Sequence, residues 1–274
     1  MTQALIITAP GINCDLELAE GFALAGATPI SLHLNELISN PSAIDDFQLI
    51  GLPGGFSYGD SIAAGRIMAN LMREKLYPKF VEALRRNVPM IAPCNGFQIA
   101  VQMGLLPGPM PGNGWEVEAP RPTIALSQNE SARFIDRWVE FHVPSNTRCI
   151  WTKNLDVNPH ASLIPIAHGE GRFVTNEDTL QLLEESGQIA CRYSAEDNPN
   201  GSSGDVMGIC DASGLVFGLM PHPERFLRWT QHPTWTRLDQ SDKQGTTIGL
   251  QMFLNAVTIA KQNSTPSNCV EHSV

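Results

Sequence analysis

The sequence predicts a single α/β domain: a mostly parallel sheet with helices on both faces, extended by added short strands in its C-terminal half. Three observations carry this reading. Apolar runs of strand length alternate with helix-period segments through the first hundred or so residues, the pattern of parallel strands joined by helical crossovers. Two of those runs end abruptly, one at Pro53-Gly54-Gly55 and one at Cys94, as strands do when they open onto a binding face. Beyond residues 106–113, which are rich in Pro and Gly, the apolar runs shorten and turn signals such as Asn198-Pro199-Asn200-Gly201-Ser202 separate them.

The first strand is residues 4–9, closed by Pro10-Gly11. Asn13 and Asp15 suit a helix start, after which Leu16, Ala19, Phe22, Ala23 and Gly26 follow helical spacing. Residues 29–34 read as a second strand and 47–52 as a third, which stops where Gly54-Gly55 supplies backbone freedom. Residues 61–86 read as helix with a break near Pro78. Strand 88–92 and the helix after Cys94 repeat the unit. Short strands are expected at 123–127, 134–143, 188–193, 205–210 and 214–220, extending the sheet and covering its rim. A closing helix over 246–261 carries Ile248, Met252, Phe253 and Val257 on one side. Residues 1–261 thus form one domain, and the polar remainder 262–274 is expected to be a flexible tail.

Composition narrows the partners. The 274 residues are 42% hydrophobic and 17% charged, enough for a sizeable core. A net charge of −10 argues against nucleic acid as the main partner, since phosphate binding needs a basic surface. No apolar stretch is long enough to span a bilayer, so no membrane association is expected, and the N-terminal run lacks the basic flank of a signal peptide. Six scattered cysteines without a CxxC pair point to a reduced, cytoplasmic setting.

Chemistry concentrates at Cys94. The run Val88-Pro89-Met90-Ile91-Ala92-Pro93 is followed by Cys94 and then Asn95-Gly96-Phe97-Gln98, a strand that turns sharply into a helix. A cysteine there is lifted from the sheet toward a cleft, and N–H groups of the helix start face the same space. Asn95 is the expected oxyanion donor, and a second donor should come from the loop Pro53-Gly54-Gly55-Phe56-Ser57. Gln98 shares a helical face with Cys94 and can reach a bound substrate. Elbows of this kind commonly carry glycine two residues before the nucleophile; here that position is Ala92, followed by Pro93. Cys149, Cys191, Cys210 and Cys269 fit the ordinary role of small buried hydrophobes.

Downstream, Pro221-His222-Pro223-Glu224 offers an imidazole and a carboxylate two residues apart, on one side of an extended segment. Glu224 can hold His222 in the tautomer that accepts a thiol proton. The alternative for these two alone is a surface ion pair at a strand end. A metal site formed by His168, Glu170, His222 and Glu224 has no supporting ligand spacing, so no metal is expected. His168-Gly169-Glu170-Gly171 reads as a loop at the site's rim or as a simple turn.

Five motifs in order, Pro53-Gly54-Gly55-Phe56-Ser57-Tyr58-Gly59-Asp60, Cys94-Asn95-Gly96-Phe97-Gln98, Ala167-His168-Gly169-Glu170-Gly171, Asn198-Pro199-Asn200-Gly201-Ser202 and Gly218-Leu219-Met220-Pro221-His222-Pro223-Glu224-Arg225, carry a resemblance. The chain resembles the glutaminase subunit of phosphoribosylformylglycinamidine synthase, a triad-type class I glutamine amidotransferase, from the first strand to the closing helix. The resemblance implies a flavodoxin-like core that hydrolyses L-glutamine to glutamate and ammonia. It makes Cys94 the nucleophile, His222 the general base and acid, and Glu224 the orienting acid. Gly55 and Asn95 become the oxyanion donors, and Gly54 and Gln98 substrate contacts. Asn129 and Ser131 join them, because 129–134 is similar to a family segment near the glutamine pocket. No cofactor is expected in this chain. ATP and Mg belong to a partner synthetase subunit that uses the ammonia to turn formylglycinamide ribonucleotide into the amidine for purine synthesis, with a small third subunit. The competing readings are another cysteine hydrolase, such as a γ-glutamyl peptidase, and a silent glutamine-sensing or assembly subunit. Residues 229–244, with Trp229 and Trp235, match no motif and have no assigned role.

Overall fold

In the computed structural model, which describes residues 1–157 and 163–263, apolar side chains alternate along the first strand and so build two cores. In β1 (Gln3–Thr8), Leu5 and Ile7 point to one face while Ala4 and Ile6 point to the other, and all four are fully buried. A strand buried on both faces needs parallel neighbours covered by helices. β1 pairs in parallel with β2 (Thr28–His33) and β3 (Leu49–Gly51), β3 with β4 (Met90–Pro93), and β4 with β11 (Val216–Leu219).

The C-terminal half extends this sheet antiparallel through β10 (Val206–Cys210), β9 (Ile189–Tyr193), β6 (Ile135–His142) and β7 (Leu163–His168). The nine-stranded order is β2-β1-β3-β4-β11-β10-β9-β6-β7. β5 (Ala125–Ser127) and β8 (Arg172–Val174) form a separate two-stranded ribbon. The expected α/β sheet is therefore present, with its short late strands mostly in the main sheet.

On one face, α3 (Arg66–Lys75), α4 (Tyr77–Arg85) and α5 (Asn95–Met103) bury Met68, Met72, Phe80 and Phe97 against Leu5, Ile50 and Leu52. On the other, α1 (Asp15–Leu24) and α7 (Ile248–Asn263) enclose Phe22, Trp151 and Phe253. The break expected near Pro78 falls at Leu76, and Pro78 sits in the first turn of α4, where its missing N–H is harmless. Residues 61–65 are not helical, and Gly65, at φ 73°, marks the start of α3.

Three expectations need correction. Leu16 is 77% exposed: the buried face of α1 is Leu18, Gly21 and Phe22, because a Cβ at Gly21 would lie 2.8 Å from the Phe253 ring. Two short helices, α2 (Leu34–Ser39) and α6 (Glu177–Glu185), were not expected. α6 has clear start signals, since the Asn176 side chain accepts from Thr179 N–H at 2.8 Å and Glu177 and Asp178 occupy its first turn. Residues 262 and 263, expected in the tail, close α7; positions 264–274, with Cys269 and His272, lie outside the described residues, as does His160.

Trp151 anchors the α1/α7 side. Its ring meets Phe22 and Phe253 edge-on at 6.3 Å, and its Nε1–H donates to Leu215 O at 2.9 Å. Trp151→Ala should lower unfolding free energy in urea by about 3–5 kcal/mol. A loss below about 1 kcal/mol would contradict this packing.

Candidate active site

Pairing of β4 with β11 sets the elbow. Ala92 and Pro93 lie opposite Gly218 and Leu219, and Cys94 N–H donates to Leu219 O at 2.7 Å. Cys94 itself adopts φ 50° and ψ −109°, a conformation costing about 1–3 kcal/mol that the surrounding packing must hold. α5 then begins at Asn95. Its third elbow residue must be small, because a Cβ on Gly96 would lie 2.1 Å from Leu52 O. Pro93 is accommodated for a stated reason: the Cys94 N–H faces β11, so the N–H that proline lacks would face β3, whose paired residues end at Gly51. Ala92 is fully buried opposite Gly218, and the strand still turns directly into α5 after Cys94.

Facing the elbow, Gly55 holds φ 145°, open to glycine alone, and a Cβ there would strike Gly11 O at 2.7 Å. A side-chain chain ties this loop to the helix. Asn95 Oδ1 accepts from Ser57 N–H at 3.2 Å, Asn95 Nδ2 donates to Gln98 Oε1 at 2.9 Å, and Gln98 Nε2 donates to Glu170 O at 2.6 Å. Asn95 N–H stands in the first turn of α5, where helical N–H groups have no intrahelical acceptor.

The histidine and carboxylate come from the segment after β11. Pro223–Arg225 forms one 3-10 turn, so His222 and Glu224 are not on an extended strand as expected; Pro223 at the turn's start favours the tighter conformation. They meet nonetheless, His222 Nδ1 lying 2.7 Å from Glu224 Oε1, with both side chains buried. This removes the surface ion-pair alternative. His222 N–H donates to Pro165 O at 2.9 Å, which pins the turn to β7. Burial opposes a charge on His222, but Glu224 and the thiol of Cys94 outweigh it and raise its pKa well above the ordinary value. Cys94 Sγ also lies 3.7 Å from Ala167 O.

A cavity of about 120 Å³ opens on Cys94, walled by Gly55, Gln98, Phe134, Asp60, His168 and Glu170 among others. A larger hollow of about 590 Å³ beside α3 and α4 contains no cysteine, histidine or serine, so chemistry favours the smaller one. Burial raises the Asp60 pKa, and Glu170 nearby adds to the effect. Gly54 is placed differently from its expected substrate contact: its α-carbon faces the His222 ring, 2.8 Å from Cε1 to a Cβ built there.

Asn129 and Ser131 do not wall the cavity. Ser131 is exposed and its Oγ accepts from Arg133 N–H at 3.3 Å. Asn129 is buried behind the 168–171 loop: its Nδ2 donates to His168 O and Arg133 O, and its Oδ1 accepts from Gly171 N–H. That leaves His168 Nδ1, 3.0 Å from the same Oδ1, as a donor, so the hydrogen-bond pattern assigns a neutral His168 with a bare Nε2. Burial, with repulsion from His222, lowers the His168 pKa to about 4. The four residues of the metal alternative are not gathered. Among the described residues, the ligand-type side chains that do converge are Cys14, His222 and Glu224, with atoms within 4.8 Å of one another. Cys14 was missed by sequence reasoning, although its position just past β1, at the carboxyl end of a parallel strand, was a signal.

A thiol on a strained elbow, served by a buried imidazole–carboxylate pair, is the equipment of a cysteine-dependent acyl-transfer enzyme. The chain belongs to the CobB/CobQ-like glutamine amidotransferase domain family, whose model matches residues 1–259. It is similar to phosphoribosylformylglycinamidine synthase subunit PurQ of Dehalococcoides mccartyi, with 39% identity covering 95% of this chain and 98% of that one. The corresponding subunit of Methanococcus maripaludis is 36% identical, covering 93% and 96%. Among solved structures, a chain in the structure of PurLQS from Thermotoga maritima superposes with a TM-score of 0.68 at 32% identity, covering 94% and 98%.

The neutral state of buried His168 gives a pH dependence of known sign. Between 6.5 and about 4 the unfolded chain binds a proton that the folded chain refuses, so stability falls with pH through that window. At about pH 5 the site withdraws about 2 kcal/mol. His168→Gln should shrink the loss of urea stability between about pH 7 and about pH 5 by roughly that amount. Equal losses in both proteins would refute it.

Proposed function

We propose that this chain is the glutaminase subunit of phosphoribosylformylglycinamidine synthase, releasing ammonia from L-glutamine through Cys94, His222 and Glu224. The observation that carries the reading is the buried 2.7 Å contact of His222 with Glu224 beside an elbow cysteine that opens on a small cavity. Because Nδ1 is engaged by Glu224, Nε2 is the nitrogen left to exchange a proton with the Cys94 thiol. The raised pKa of His222 suits it to hold that proton while the sulfur attacks the glutamine side-chain carbonyl.

The tetrahedral oxyanion then lies between the N–H groups of Gly55 and Asn95, a stabilisation commonly worth about 2.7–4 kcal/mol per donor. His222 delivers its proton to the departing ammonia, and a γ-glutamyl thioester remains on Cys94. Water, deprotonated by His222, hydrolyses it to glutamate. Gln98 contributes as the link that holds the cavity wall, since both ends of its amide are engaged. Asp60 and Glu170 supply carboxylates at the cavity, the complement of a substrate α-ammonium. Asn129 supports the wall from behind through His168 and Gly171.

The partner reading follows from the relatives. The similar chains are named as synthase subunits, and the Thermotoga maritima chain is known from a PurLQS structure. Ammonia would pass to a synthetase subunit that binds ATP and Mg and converts formylglycinamide ribonucleotide to the amidine, with a small third subunit in the assembly. The proposed setting is cytoplasmic, where scattered cysteines without a CxxC pair stay reduced. No described helix is long and apolar enough to cross a membrane.

Two assays test this. Glutaminase activity should be weak for the chain alone and rise on addition of the synthetase subunit, ATP and formylglycinamide ribonucleotide, while Cys94→Ser removes at least about 10³-fold of it. Activity that survives Cys94→Ser would sink the assignment. Asp60→Asn should raise KM for glutamine about tenfold with kcat little changed, as for loss of uniform binding; a fall in kcat alone would exclude the ammonium contact.

A further inference from the structure

A second buried cysteine stands behind the proposed triad. Cys14, at the start of α1, is 1% exposed, and its Sγ lies within 4.8 Å of ligand atoms of His222 and Glu224. The cavity that opens on Cys94 is not walled by Cys14, so Cys14 is not placed to attack a substrate there. Its hydrogen bonds are specific. Sγ donates to Asn13 Oδ1 at 3.2 Å and accepts from Arg225 Nη2–H at 3.1 Å. The N–H groups of Asn13 and Cys14 both reach Gly54 O, at 3.4 and 3.2 Å, which ties the same segment to the oxyanion loop.

Arg225 is the consequential partner. It follows Glu224 directly, on the same short turn, and its charge is felt by Glu224 as well as by Cys14 and Glu17. Glu224 is fully buried, and its Oε2 has no hydrogen-bond partner among the described residues, while Oε1 holds His222. A guanidinium beside a carboxylate with a free oxygen ordinarily closes on it, because charge-assisted pairs are the strong ones. Here the guanidinium donates to the Cys14 sulfur instead.

We propose that Cys14 is a positioning residue of the triad, whose sulfur holds Arg225 off the free oxygen of Glu224 so that the negative charge of the carboxylate acts on His222 and is not shared with the guanidinium. The inference rests on Cys94, His222 and Glu224 acting as the triad. His222 is faced by Glu224 from its own turn, Cys94 from the elbow, Cys14 from α1, which also bonds the imidazole directly, and His168 from β7, while Arg225 bears on it through Cys14 and Glu224. Of these, only Arg225 is a permanent cation, and its distance from Glu224 governs how strongly the carboxylate can support an imidazolium. Sulfur suits the task because it is large, polarisable and a weak acceptor, able to occupy the guanidinium without adding a charge.

The test follows the His222 imidazole by NMR in the full chain labelled with 15N-histidine, with His222→Gln to assign the signal. Cys14→Ala frees Arg225 to pair with Glu224, and the His222 titration should move down by about one pH unit, a tenfold change in its proton affinity. Adding Arg225→Met to that variant should return the titration to or above its wild-type position. Glutaminase kcat in the complex should fall about tenfold in Cys14→Ala and recover in the double variant. Cys14→Ser, with a shorter reach, should shift the titration in the same direction by less, and Arg225→Met should reverse that too. If the alanine variant does not fold, the serine pair decides alone. An unmoved His222 titration in a folded Cys14 variant, or a shift that Arg225→Met does not reverse, overturns the proposal. The NMR readout does not need turnover, so its failure is distinguishable from failure of the glutaminase reading.

Discussion

The parallel pairing of β4 with β11 is the constraint on which the rest of the site depends. It sets Cys94 N–H against Leu219 O and delivers His222 and Glu224, from far along the chain, to the same sheet edge. That pairing tolerates no side chain at Gly218. A Cβ there would lie 2.2 Å from the Phe97 ring and 2.5 Å from Leu106, so α5 could no longer lie close on β11. With α5 displaced, the strained backbone of Cys94 would lose the packing that holds it, and Asn95 would lose its bond to Ser57 N–H in the facing loop. Small residues at 96 and 218 are thus requirements of the chemistry, transmitted through helix-on-sheet distance.

Around that frame the buried charges are arranged asymmetrically. His222 is supported by Glu224, whereas His168, only a loop away, is kept neutral by burial and by His222 itself. Burial and neighbours thereby move the proton affinities of two histidines at one site in opposite directions. Asn129 fixes the orientation of the His168 ring by accepting from its Nδ1. Hydrogen bonds offset only part of the cost of desolvating these groups, and the unpartnered Oε2 of Glu224 and Nε2 of His168 mark where the balance is most sensitive.

Much of this was legible in the sequence, and the reason lies in periodicity. The strands that pair in parallel are short apolar runs ended by special residues, so β1, β3, β4 and β11 and the elbow at Cys94 were readable from local pattern. Cys94, His222 and Glu224 were found because their flanking residues fix them at strand ends. Gln98 was placed on the correct helical face, but its amide proved to be committed to Asn95 and Glu170. What local pattern does not carry is which strand lies beside which. That Gly54 lies against His222, and that Asn129 and Ser131 lie behind or outside the cavity wall, was not readable from local pattern. Cys14 was passed over because its partners are distant in sequence. β7 was not among the expected strands, and α6 was missed despite its cap, because six of its nine residues are polar or charged and give only a weak apolar stripe. The segment 229–244 shows the same limit: Trp229 packs edge-on against Phe226 at 5.6 Å and donates to Gly245 O, a brace, announced by no motif, beside the turn that carries His222 and Glu224.

The most direct test of the central claim is to quench the enzyme during glutamine turnover and locate the acyl group by mass spectrometry of its peptides. The account predicts a γ-glutamyl adduct on the peptide bearing Cys94, absent in Cys94→Ser and accumulating in His222→Ala if any attack persists. An adduct on Cys14, or turnover with no adduct on either thiol under conditions that trap thioesters, would contradict it.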